Sequence, residues 1–110
     1  MKAVNDPSLG ETGARLAESV DSLERATHWL LKQQDAANIQ AAATPYLRLF
    51  GNTAGGCMLA DDALAALRAG DGASRTAQTR FFAENIVVQA NGLERAVNNE
   101  SINAADAALA

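Results

Sequence analysis

The 110-residue chain has one cysteine, one histidine, one tryptophan and one tyrosine. A lone cysteine excludes an internal disulfide, and one cysteine with one histidine cannot supply the four ligands of a structural zinc site. A reducing, intracellular setting is the expectation, with no metal. Proline is scarce too, at 2 residues, and aromatic side chains make up 5% of a composition that is 48% hydrophobic. The apolar content is therefore carried mainly by Ala and Leu, the strongest helix formers. That excludes an all-β sandwich and points to helices. Positive charge is short, because 9 Lys and Arg against 13 Asp and Glu leave a net charge of -4, which argues against a nucleic-acid surface. Long apolar runs are missing as well: the densest, Ala54 to Ala60, stops at Asp61-Asp62, far short of a membrane span. Met1-Lys2 is not followed by the apolar segment of a secretory signal. The expectation is a soluble, untargeted, cytoplasmic chain. With 20% charged residues amid so much apolar content it is not a disordered one. Its length suits one domain burying roughly two-thirds of its unfolded surface.

What is present is helical periodicity. Asp6-Pro7 reads as an N-cap and first-turn proline; Leu9 follows, then seven residues on Leu16, Val20, Leu23, Thr27 and Leu30 recur at steps of four and three. This spacing predicts a helix over residues 7–33. Residues 35–43 read as a short helical connector. Thr44-Pro45 looks like a fresh start, with a hydroxyl to cap and a proline where no N–H is needed. A second helix is predicted over 45–69, with Tyr46, Phe50, Thr53, Cys57, Ala60, Leu64 and Leu67 on one seam and Leu47, Gly51, Ala54 and Met58 widening it. Its glycines, Gly51, Gly55 and Gly56, are read as making room for a crossing helix.

Gly70-Asp71-Gly72 supplies a tight turn. Phe82, Ile86, Ala90, Leu93 and Val97 then predict a third helix over 73–98, and Ile102, Ala105 and Leu109 mark a short closing one. The predicted fold class is all-α, an up-and-down bundle of three longer helices and a short fourth, with Leu23, Leu30, Phe50, Leu64, Phe82 and Ile86 in one core.

Convergent titratable groups are sparse. Asp61-Asp62 is the only adjacent pair of carboxylates, but neighbours on a helix point about 100° apart and do not meet on one substrate atom. Cys57 lies on an apolar seam with no His or Arg at helical spacing to favour its thiolate, which reads as an inert thiol. The glycines form no phosphate cradle. His28 invites comparison with histidine-phosphotransfer domains, which place Lys three residues after the histidine with Gly following. Here Lys32 stands at four and Gln33 comes next, and Glu24 and Lys32 share the face of His28. On the third helix, Phe81-Phe82 between Arg80 and Glu84 reads either as a docking patch or as core plus seam edge. Tyr46 and Phe81 are the favoured members of an exposed apolar patch, with Leu47, Leu49, Phe50 and Phe82 supplying further large groups.

The run Ala43-Thr44-Pro45-Tyr46-Leu47-Arg48-Leu49-Phe50-Gly51, followed by Ala54-Gly55-Gly56, resembles the acetyl-CoA dehydrogenase-like C-terminal domain of bacterial acyl-CoA dehydrogenases. Ala26-Thr27-His28-Trp29-Leu30-Leu31 and Arg80-Phe81-Phe82-Ala83-Glu84 also fall where that family would put them, so the resemblance spans nearly the whole chain. It implies a single helical domain, 1–110, excised from or related to a larger flavoenzyme. In such enzymes a glutamate base takes the α proton of an acyl thioester while FAD accepts hydride from the β carbon, giving a 2-enoyl-CoA. That machinery has no matching motif here, so no catalytic, cofactor-binding or metal residue is carried over. The function implied is a structural, assembly-type domain. Its partners would be the remainder of the dehydrogenase and a second copy of itself. Alternatives of other classes are a phosphotransfer module using His28 and an autonomous self-associating bundle.

Overall fold

A computed structural model describes residues 7–98, and the closing helix expected around Ile102 to Leu109 lies outside them. Four α-helices follow one another: α1, Thr12–Leu31; α2, Ala36–Arg68; α3, Ala73–Asn85; and α4, residues 90–98. Among the described residues there is no strand. α1 and α2 lie antiparallel, and α3 followed by α4 makes a third rod that runs with α1 and against α2. The all-α up-and-down bundle is what the periodicity implied.

Three of the expected helix boundaries are corrected. The segment from residue 7 is not one helix. Pro7–Leu9 forms a 3-10 turn, Gly10 takes a φ of 56°, and α1 begins only at Thr12, whose hydroxyl donates to the Leu9 carbonyl at 2.6 Å. That left-handed backbone suits glycine, and a β-carbon there would meet Arg80 Nε at 2.6 Å and Glu84 Oε2 at 2.7 Å.

Nor does Pro45 start the second helix. α2 runs unbroken for 33 residues from Ala36, with Asp35 in an extended conformation as its N-cap and accepting from the Ala37 N–H at 2.9 Å. Pro45 forfeits one helical hydrogen bond. Its ring is buried, and the turns ahead of it carry Ala42 into the core, which compensates.

The third predicted helix divides at Ile86, where φ of -110° and ψ of -56° leave the helical path and lead into a 3-10 turn, Val87–Gln89. The break turns Val87 inward, where it is 1% exposed.

The core is two apolar clusters, one toward each end. One joins Leu9, Leu16, Ala60, Ala63 and Val87, with Cys57, Leu64 and Phe82 packed on it. The other joins Ala26, Ala42, Leu49, Ala90 and Val97, with Leu23, Trp29, Leu30, Tyr46 and Leu93 around it. Between them lies a polar waist, where Ser19 and Thr53 are bonded through their hydroxyls and the Ser22 hydroxyl donates to Asn91 Oδ1 at 2.9 Å. Small side chains let the helices approach closely there. At Gly56 a β-carbon would lie 2.7 Å from Leu16 Cδ2 and 3.0 Å from Val87 Cγ2, so the glycine is the crossing point the sequence implied. Gly55 faces Phe82 at 3.6 Å, whereas Gly51 faces nothing within 4 Å.

Phe50 is the main correction within the core. It is 51% exposed, and its neighbour Leu49 is the buried one. Of the other expected core residues, Leu23, Leu30, Leu64 and Phe82 are half-buried against the clusters, and Ile86 is half-buried.

Candidate functional site

Three groups of charged side chains hold helix to helix. Arg25 on α1 reaches α4 in a two-pronged pair, Nε to Glu94 Oε2 at 2.8 Å and Nη2 to Oε1 at 2.9 Å. The guanidinium's hydrogen bond holds the Glu94 carboxyl below the usual carboxylate range, against a smaller opposing effect of burial. Asp62 on α2 accepts from Arg75 on α3. Arg80 pairs with Glu84 at 3.3 Å, and the same Glu84 oxygen accepts the Glu11 backbone N–H at 3.3 Å, at the start of α1. A carboxylate placed at a helix N-terminus is stabilising. Arg80 and Glu84, which flank the phenylalanine pair in the sequence, therefore serve as a clamp between α3 and α1.

The groups weighed for chemistry do not converge. Asp61 and Asp62 are both exposed, and Asp62 is bound to Arg75. Cys57 is half-buried, and burial, reinforced by the nearby Asp61 charge, pushes its thiol pKa up, away from the thiolate form. His28 is exposed on the outer side of α1. It shares a shallow hollow of about 440 Å³ with Asp21, Glu24, Arg25, Trp29 and Lys32, all from α1 and its C-cap. The hollow carries two carboxylates and two cations, and one of the cations, Arg25, is held by Glu94. Among the described residues no three His, Cys, Asp or Glu side chains gather to hold a metal, and no helix is long and apolar enough to cross a membrane.

What the described surface does display is apolar. Leu47 is 67% exposed, Met58 72% and Phe81 65%, alongside the half-exposed Phe50. Phe81 is where the sequence put it. Tyr46 is not, because its hydroxyl is bonded to Thr27 Oγ1 at 2.7 Å and its ring packs on the cluster around Leu49. Leu49 is buried, so it too leaves the expected patch, and Phe82 is half-buried beside Gly55. Met58 is the member missed, having been placed with the seam. The i, i+4 series Phe50, Ala54, Met58 was the signal available for it.

The described residues define an all-α helical bundle with a packed core and large apolar side chains left uncovered on its surface. The model of a protein family described as Acetyl-CoA dehydrogenase C-terminal like matches residues 1–108, and the chain belongs to that family. No curated protein and no solved structure matches it.

Proposed function

We propose that the chain is a non-catalytic assembly domain of an FAD-dependent, cytoplasmic acyl-CoA dehydrogenase, the enzyme that oxidises an acyl-CoA to its 2-enoyl product. The observation that carries this reading is the set of large apolar side chains left outside an already closed core, Leu47, Phe50 and Met58 on α2 and Phe81 on α3. Family membership supplies the enzyme context.

The flavin is assigned to the body of the enzyme, because the residues here do not fit it. A flavin or CoA pyrophosphate is held by a glycine-rich turn between strand and helix or by clustered cations. Here Arg15, Arg25, Arg75 and Arg80 are each engaged by a carboxylate, and the glycines of α2 lie within a helix. Asp21 and Glu24 beside His28 weigh against phosphotransfer.

Titration calorimetry of the chain with FAD and with a medium-chain acyl-CoA is expected to show no binding of either, while co-sedimentation with the dehydrogenase lacking this domain shows a complex. Micromolar binding of flavin or acyl-CoA by the free chain, or failure to associate with the dehydrogenase, overturns the reading.

A further inference from the structure

We propose that the outer face of α2 is a self-association surface on which a second copy of this chain docks antiparallel; this deepens the assembly reading above by naming one partner. Leu47, Phe50, Ala54 and Met58 recur at steps of three and four and so share one side of α2. That side is opposite the one that carries Leu49, Thr53, Gly56, Ala60 and Ala63 into the core. All four are exposed, and the open space at Gly51 on the same side lets another helix axis come close. No charged residue stands between Arg48 and Asp61. The helix thus has a second apolar face, about three turns long, that nothing in its own described bundle covers.

The charges at the two ends of this stripe select the occupant and its direction. Arg48 closes the N-terminal end, and Asp61 and Asp62 close the other. Among the described residues neither Arg48 nor Asp61 has an ion-pair partner, while Asp62 already accepts from Arg75 of its own chain, so the C-terminal end keeps a net negative charge. A parallel copy would set like charges together at both ends. A copy reversed about Ala54 sets the cationic end over the anionic end, and does so twice, as a twofold axis requires. Reversed helices related in this way keep the same flank together. At about 100° per residue, Arg48 and Asp62 lie roughly 40° apart and so share a flank. Arg48 of one copy then approaches Asp62 of the other, whose carboxylate it would share with that copy's Arg75, while Phe50 lies against Met58 of the second copy, an aromatic and thioether contact made in both directions.

Sedimentation equilibrium of the 110-residue chain tests this. The wild type is expected to be a reversible dimer in the micromolar range. Ala54→Glu, which puts two carboxylates together at the axis, is expected to weaken the dimer by about 100-fold or more, with helical circular dichroism and thermal unfolding of the monomer unchanged because Ala54 is exposed. Arg48→Glu should weaken it by about tenfold, and combining it with Asp62→Asn, which removes the opposing charge yet can still accept from Arg75, should recover part of the loss.

Geometry is tested separately in a Cys57→Ser background. Ala54→Cys is expected to cross-link between copies on oxidation, whereas Leu47→Cys is not, because the two 47 positions would lie about 21 Å apart along the paired helices. A wild-type chain that is monomeric at 100-fold above the micromolar range, or a dimer indifferent to Ala54→Glu, overturns the proposal. A monomeric chain that still binds the dehydrogenase leaves the assembly reading standing, and a dimer that fails to bind it separates the two the other way.

Discussion

Ser19 and Thr53 meet hydroxyl to hydroxyl at the waist of the bundle, and one proton assignment satisfies both. The Thr53 hydroxyl has a single hydrogen, which it donates to the Leu49 carbonyl at 2.8 Å, so Ser19 is the donor between them. The two residues are therefore not equivalent. Ser19→Ala leaves Thr53 with its own acceptor and is expected to cost about 0.5–1.5 kcal/mol, whereas Thr53→Val strands a buried Ser19 hydroxyl and is expected to cost about 1–3 kcal/mol. Urea unfolding of the two variants checks the order; equal losses would mean that Ser19 finds another acceptor.

Leu49 and Phe50, adjacent on α2, should respond in opposite ways to truncation. Leu49 is fully buried in the cluster with Ala26, Ala42, Ala90 and Val97, and Leu49→Ala is expected to cost about 2–5 kcal/mol. Phe50→Ala is expected to lie within about 0.5 kcal/mol when monomer stability is measured by denaturant. A large loss at Phe50 would place it in the core after all.

That pair also shows where sequence and structure part on α2. A helix apolar on two sides offers two stripes of equal periodicity; of the expected seam Thr53, Cys57, Ala60 and Leu64 meet the core, and Phe50 stands on the outer stripe. Small residues, Gly56, Ala60 and Ala63, fix the buried side, because close helix approach needs space rather than bulk. The bundle class was legible, since it rests on periodicity alone. Pro45 misled because its usual place is the first turn, and the Asp35 cap that overrides it is a single residue amid an alanine-rich stretch. Nothing local announced the break at Ile86; it exists to seat Val87 against the opposite rod. At the surface, Phe81 was readable from its position off the stripe. The Arg25 pairing with Glu94 was not, because 69 residues separate the two and only the fold brings them together.

The same ion pair gives stability an acid limb. Since the folded Glu94 carboxyl titrates below its unfolded counterpart, the pair's contribution is complete above the unfolded pKa, about 4.3, and is lost as pH falls through the lower folded value. Thermal unfolding between pH 7 and pH 3 is expected to show a decline below about pH 5 that is shallower in Glu94→Gln, because Arg25 is exposed and water screens the pair. Arg25→Ala should flatten the same limb. Identical acid limbs in all three proteins would assign the decline to other carboxylates.

Gly51 and Gly56 separate the two faces of α2 most sharply, being a little more than one turn apart with opposite surroundings. In a helix interior, Gly→Ala recovers backbone entropy worth roughly 0.5–1 kcal/mol where the methyl meets nothing, and a methyl at Gly51 meets nothing within 4 Å. Gly51→Ala is therefore expected to raise the stability of the monomer by about that amount. At Gly56 the same gain is opposed by a methyl 2.7 Å from Leu16 Cδ2 and 3.0 Å from Val87 Cγ2. Leu16 can swing aside only into a fully packed cluster, and the β-branched Val87 is stiff about its first torsion. Overpacking of this kind typically costs about 1–3 kcal/mol, which exceeds the entropic gain and makes the net effect destabilising. Denaturant midpoints measured on dilute protein, below the range of self-association, read both signs. A stabilising Gly56→Ala would mean that α1 and the α3–α4 rod are free to move apart at the waist, and with them the close approach on which the two-cluster core depends.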